Sequence, residues 1–131
     1  MAARDERRLL RRGSVPLPVH GLLEYGEGAL SIAAPFLFSF DTDAATVVSV
    51  VIGTLILVLA VLTAAPTGIV RNLPLDSHIV LDYVLAVVLV GSPFVFGFTD
   101  DATALAYFIL LGVAHLLVTV LTRFRGEGVN R

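Results

Sequence analysis

The chain has 131 residues, of which 56% are hydrophobic and only 15% charged, and its mean hydropathy is +0.89. A soluble domain carries about a quarter charged residues, so this chain lacks the polar surface to coat a water-soluble globule and lipid is its expected solvent. The formal net charge of −2 gives no reason to expect a nucleic-acid partner, and the absence of Cys excludes disulfides and thiol chemistry.

Residues 1–18 read as an Arg-rich tail and linker. Arg4, Arg7, Arg8, Arg11 and Arg12 are followed by Gly13-Ser14-Val15-Pro16-Leu17-Pro18, where proline removes amide donors and disfavours helix in the residue before it. Four apolar stretches follow, at 19–40, 45–65, 78–98 and 102–122. Each is long enough to cross a ~30 Å hydrocarbon core as a helix. The connectors Asp41-Thr42-Asp43 and Thr99-Asp100-Asp101 are short, so each successive pair must form an antiparallel hairpin. A longer connector, 66–77, separates the pairs, and a tail, 123–131, ends the chain.

All nine basic residues are Arg, and all fall in the N-terminal tail, the 66–77 connector or the C-terminal tail. Four crossings put those three segments on one side, opposite Asp41, Asp43, Asp100 and Asp101. The positive-inside rule then predicts a multi-pass protein of the cell membrane, the inner membrane of a bacterium, with both termini cytoplasmic. A cleaved signal peptide is the competing reading of the N-terminus. Glu24, Tyr25 and Glu27 interrupt its would-be apolar core, and cleavage would discard half of a repeat.

That repeat is the strongest internal signal. A shift of 58 residues carries His20 onto His78, Glu24 onto Asp82, Tyr25 onto Tyr83 and Pro35 onto Pro93. It also carries Phe36, Phe38 and Phe40 onto Phe94, Phe96 and Phe98. Gly53 matches Gly112 at a shift of 59, so one residue is inserted near the second hairpin tip. The units are 19–65 and 78–122. Each has two crossings, so they face the same way, related by a pseudo-twofold axis along the membrane normal.

The second unit reads Ser92-Pro93-Phe94-Val95-Phe96-Gly97-Phe98 with Asp82-Tyr83 upstream; the first reads Ala34-Pro35-Phe36-Leu37-Phe38-Ser39-Phe40 with Glu24-Tyr25 upstream. This pattern resembles the SPW repeat of small bacterial and archaeal membrane proteins, with Phe in place of Trp in both copies and Ala in place of Ser in the first. The resemblance implies an all-α membrane protein in which a two-helix hairpin occurs twice. It implies no chemistry.

Pro35 and Pro93 lie late in the first and third stretches. A helical proline frees the carbonyl four residues earlier, here Ser31 and Leu89. The expected result is a kink that closes the outer end of the bundle; the alternative is a broken helix lining a substrate site. The alternate spacing of the Phe residues suits either a short extended stretch or a helix end whose aromatics pack on neighbours. Asp43 and Asp101 are expected N-caps.

The ionisable residues inside the spans carry the functional expectations. His20 and Glu24 share a helix face, as do His78 and Asp82. Near the cytoplasmic boundary these are expected to be interfacial pairs satisfied by water or Arg; the alternative is a metal site, for which the ligand types are compatible. Glu27 and His115 break the repeat. They sit at similar depth on the first and fourth helices, neighbours in an up-down bundle, and are expected to face each other. They would form a buried polar pair or a proton-accepting or ligand-binding site, unless they meet only across an oligomer interface. Small residues, Gly26, Gly28, Ala29, Ser31, Ala33 and Ala34, suggest that the first helix is central to the bundle or to a dimer contact.

No nucleotide fingerprint, zincin motif or nucleophile elbow is present, and no cofactor is expected. The expected function is a non-enzymatic structural or interaction module, self-associating or paired with another membrane protein. The alternatives are a small transporter, channel subunit or proton-coupled component using Glu27 and His115, or a metal or cofactor binder using the His–carboxylate pairs.

Overall fold

The structure, a computed structural model, describes residues 13–124. The Arg-rich part of the N-terminal tail and residues 125–131, which the charge argument assigns to the cytoplasm, lie outside the described residues. Four helices make up the fold of the described residues: α1 (Leu17–Leu37), α2 (Asp43–Leu62), α3 (Leu75–Val95) and α4 (Ala102–Leu121). Two two-residue strands, β1 (Val15–Pro16) and β2 (Thr122–Arg123), pair in parallel and join the start of α1 to the end of α4.

By length and composition α2, α3 and α4 are apolar enough to cross a membrane. The first helix has the same length as α3 but carries His20, Glu24, Glu27 and several glycines. Its polarity points inward: His20, Glu24 and Ser31 are buried, while Leu22, Leu23, Leu30 and Phe36 are exposed. The other helices also expose large apolar side chains and bury polar ones. Val87 is 73% exposed and Leu110 70%, whereas Asp82 and Ser49 are each 1% exposed. Apolar residues outside and satisfied polar residues inside are what lipid as solvent requires.

Helix α1 starts earlier than the proline-rich linker suggests. Pro16 is its N-cap and Pro18 lies in its first turn. First-turn amides have no partner within the helix, so proline costs nothing there. Thr42, not Asp43, caps α2, accepting the Ala45 amide at 3.3 Å; Asp101 does cap α4. The single inserted residue explains the difference, because at a shift of 59 Asp101 is the counterpart of Thr42.

The proline motif closes each first helix. Pro35 and Pro93 are third from the helix ends. The Phe40 amide donates to the Pro35 carbonyl at 3.0 Å, and the Phe98 amide to the Pro93 carbonyl at 2.9 Å. Ser39 (φ 53°) and Gly97 (φ 71°) supply the left-handed residue between. This is a Schellman stop, so the alternate Phe residues are a helix cap rather than an extended stretch. The Ser31 carbonyl freed by Pro35 is taken by the Ser49 hydroxyl at 2.6 Å.

Helices approach closely within each hairpin and stand farther apart across repeats. Gly28 and Gly53 set the α1–α2 approach: a Cβ on Gly53 would lie 2.7 Å from the Gly28 carbonyl oxygen. Larger side chains fill the space between repeats near the hairpin tips, where Phe40, Phe98, Tyr107 and Phe108 form an aromatic cluster. The repeat extends to fine detail. The Val15–Thr122 pairing recurs as the Thr63–Leu73 bridge, each tying one repeat to the other.

Candidate functional site

At the end of the bundle away from the hairpin tips, the two His–carboxylate pairs meet. His20 and Glu24 are one turn apart on α1, and His78 and Asp82 occupy the equivalent turn of α3. Each imidazole Nε2 lies between both carboxylates: His20 is 3.2 Å from Glu24 Oε1 and 3.1 Å from Asp82 Oδ2; His78 is 2.8 Å from Glu24 Oε1 and 3.2 Å from Asp82 Oδ2. All four residues are at most 5% exposed. The expectation of wet interfacial pairs is therefore corrected. The pseudo-twofold axis turns the two pairs toward each other, and each satisfies the other in place of water or Arg.

The other ring nitrogens each face a threonine hydroxyl. His20 Nδ1 is 2.9 Å from Thr122 Oγ1, and His78 Nδ1 is 2.6 Å from Thr63 Oγ1. Each hydroxyl spends its own proton on a backbone carbonyl, Val118 for Thr122 and Leu59 for Thr63. Both threonines must then accept, so both Nδ1 atoms carry hydrogen and both Nε2 atoms point at the carboxylates. The two oxygens and two Nε2 lone pairs are all acceptors, and the ring closes only with protons or another cation between them. Sequence reasoning missed both threonines. They are counterparts at a shift of 59, which was the available signal.

The structure also brings Glu27 and His115 together. His115 Nδ1 lies 2.9 Å from Glu27 Oε2, and its Nε2–H donates to the Asp82 backbone carbonyl at 3.1 Å. The pair thus abuts the four-residue ring. Glu27 Oε1 is buried with no hydrogen-bond partner among the described residues. A recess of about 310 Å³ between α1 and α4 runs along this edge, with His20, Glu24, Glu27 and His115 in its otherwise apolar wall.

The motif residues lie elsewhere. Pro35, Pro93 and Ser92 are buried, with the Ser92 hydroxyl donating to the Val88 carbonyl. Phe36 and Phe94, where the motif has Trp, are 74% and 64% exposed and take no part in the ring.

A family model, the SPW repeat domain, matches residues 18–122. The chain belongs to the SPW repeat family. The matched span covers all four helices but for the first residue of α1, and both halves of the ring. No curated protein and no solved structure matches the chain. In this SPW repeat protein the motif segments, Ala34-Pro35 and Ser92-Pro93, thus end the first helix of each hairpin, while the acidic residue upstream of each builds the buried centre.

Proposed function

We propose that this SPW repeat protein is a non-enzymatic membrane module, two like-facing hairpins clasped into one self-associating unit. One observation carries the reading: the bonds that cross between repeats are polar and buried, His20 to Asp82 and His78 to Glu24. A second clasp joins the hairpin tips, where Asp101 Oδ2 accepts the amides of Asp41 at 2.8 Å and Thr42 at 3.0 Å. Buried hydroxyls support a structural role, since Ser49, Thr63, Ser92, Thr119 and Thr122 all donate to backbone carbonyls and none is poised for attack. Both termini are assigned to the cytoplasm on the Arg distribution. Single cysteines introduced at Ser14 and Ser39 into this Cys-free chain are expected to label from opposite sides of the membrane.

The unpartnered Glu27 Oε1 and the recess beside it favour a second reading, a small transporter or proton-coupled component. Proteoliposomes separate the two. The structural reading expects copies that crosslink to one another and no proton or cation flux. Flux in wild type that disappears in Glu27→Gln and His115→Ala replaces it with the second reading.

A further inference from the structure

We propose that His20, Glu24, His78 and Asp82 form a binding site for one divalent transition-metal ion of zinc's chemical class, held between the two repeats. One ligand atom from each residue lies within 4.8 Å of all the others. Two imidazole nitrogens and two carboxylate oxygens suit zinc and its neighbours, whereas magnesium and calcium take all-oxygen shells.

Three features separate this ring from an ordinary buried ion-pair cluster. The first is orientation. A metal-bound histidine donates its second ring N–H to an outer partner that fixes the ring. Thr122 and Thr63 do this here, at 2.9 and 2.6 Å, and leave both Nε2 lone pairs aimed at the centre. The second is charge. Two carboxylates buried in a bundle surrounded by lipid need two positive charges nearby, and no Arg side chain forms an ion pair with either among the described residues. One divalent ion supplies that charge and displaces the protons that otherwise bridge the ring. The third is dimension. A tetrahedral site with metal–ligand bonds of ~2.0–2.2 Å has edges of roughly 3.3 Å. The four nitrogen–oxygen contacts of 2.8–3.2 Å need to open by a few tenths of an ångström, and the wider separations in the set, up to 4.8 Å, need to close toward that edge as the side chains turn onto the ion.

The site also explains why the repeat preserves its donors. Each repeat contributes one imidazole and one carboxylate from a single helical turn, so neither hairpin holds the ion alone. His115 stays outside the ring, its Nε2 committed to the Asp82 backbone carbonyl. The proposal stands apart from the structural reading above, because a clasp needs no metal.

The test uses the full-length protein in detergent, stripped by a chelator and then loaded with Zn²⁺. One zinc per chain is expected after dialysis. The zinc absorption edge should report imidazole nitrogen and carboxylate oxygen at ~2.0–2.2 Å, without sulfur. Glu24→Gln and Asp82→Asn keep the ring's shape and should each weaken binding at least tenfold, measured against a chromophoric chelator. Thr63→Val and Thr122→Val should weaken it roughly 10–100-fold through the outer shell. Asp100→Asn, at the opposite end of the bundle, should change nothing. Substoichiometric zinc in the helical wild-type protein overturns the proposal, whatever the variants do. So does an affinity that survives both Glu24→Gln and Asp82→Asn. Neither result touches the clasp, which the helical content and unfolding of the stripped protein report separately.

Discussion

His20 and Asp82 are 62 positions apart in the chain and 3.1 Å apart in space. Glu24 and Asp82 each face both imidazoles, but Asp82 is the more deeply buried and its Oδ1 also lies 3.7 Å from His115 Nε2, so its loss leaves most unpaired. Removing one partner of a buried charged cluster costs about 3–5 kcal/mol, whereas replacing the whole cluster by apolar residues is often neutral. Asp82→Ala should therefore lower stability by about that amount in detergent unfolding followed by circular dichroism. The quadruple change of His20, Glu24, His78 and Asp82 to Leu should be more stable than Asp82→Ala alone. The opposite order would show that these groups do not act as one unit.

The clasp at the hairpin tips predicts a pH dependence. Burial of Asp101 tends to raise its pKa, but the amides of Ala104, Thr42 and Asp41 outweigh that and hold it below the ordinary aspartate value. A carboxyl depressed on folding stabilises the folded state fully above its unfolded pKa, near 4, and loses that contribution as pH falls through the lower folded value. Unfolding midpoints should thus fall below about pH 4 in wild type. The fall should be shallower in Asp101→Ala, which should also cost about 0.5–2 kcal/mol at neutral pH through the lost N-cap. An unaltered acid limb in Asp101→Ala would remove Asp101 as its source.

Much of this arrangement is legible in the sequence because the chain states it twice. Paired residues at one shift give the hairpins, and the similar depths of Glu27 and His115 place them within reach on adjoining helices. The four-residue ring is not legible in the same way. His20 and His78 lie on α1 and α3, which are not consecutive, and no spacing within one strand of sequence encodes the distance between them. Thr63 and Thr122 look like ordinary helix ends until the imidazoles are seen above them. The capping difference between Thr42 and Asp101 turns on one inserted residue, which local composition does not locate.

The two helix stops offer a comparison within one molecule. Ser39 and Gly97 are equivalent, both with positive φ, but only glycine adopts that conformation without steric cost. A Cβ on Gly97 would meet no atom within 4 Å, so its substitution tests the backbone alone. Ser39→Gly should stabilise by about 1 kcal/mol and Gly97→Ala should destabilise by a similar amount. Thermal unfolding of the two variants checks both signs, and a stabilising Gly97→Ala would contradict the assigned cap.

Glycines on the helices should respond in two opposite ways. At Gly53 an added Cβ would press on the Gly28 carbonyl, the Ile32 amide and the Ser31 side chain, all within 3 Å. Most of these atoms belong to the backbone of α1, so the contact cannot be relieved by a rotamer change. Gly53→Val should force the hairpin apart, at a cost of about 1–3 kcal/mol or more. A Cβ on Gly26 or Gly91 meets nothing within 4 Å. There the substitution only removes backbone freedom from the unfolded chain, and Gly→Ala should gain about 0.5–1 kcal/mol. Unfolding titrations of the three variants in one detergent decide the matter. Should Gly26→Ala and Gly91→Ala destabilise as much as Gly53→Val, close approach at Gly53 is not what holds α1 against α2.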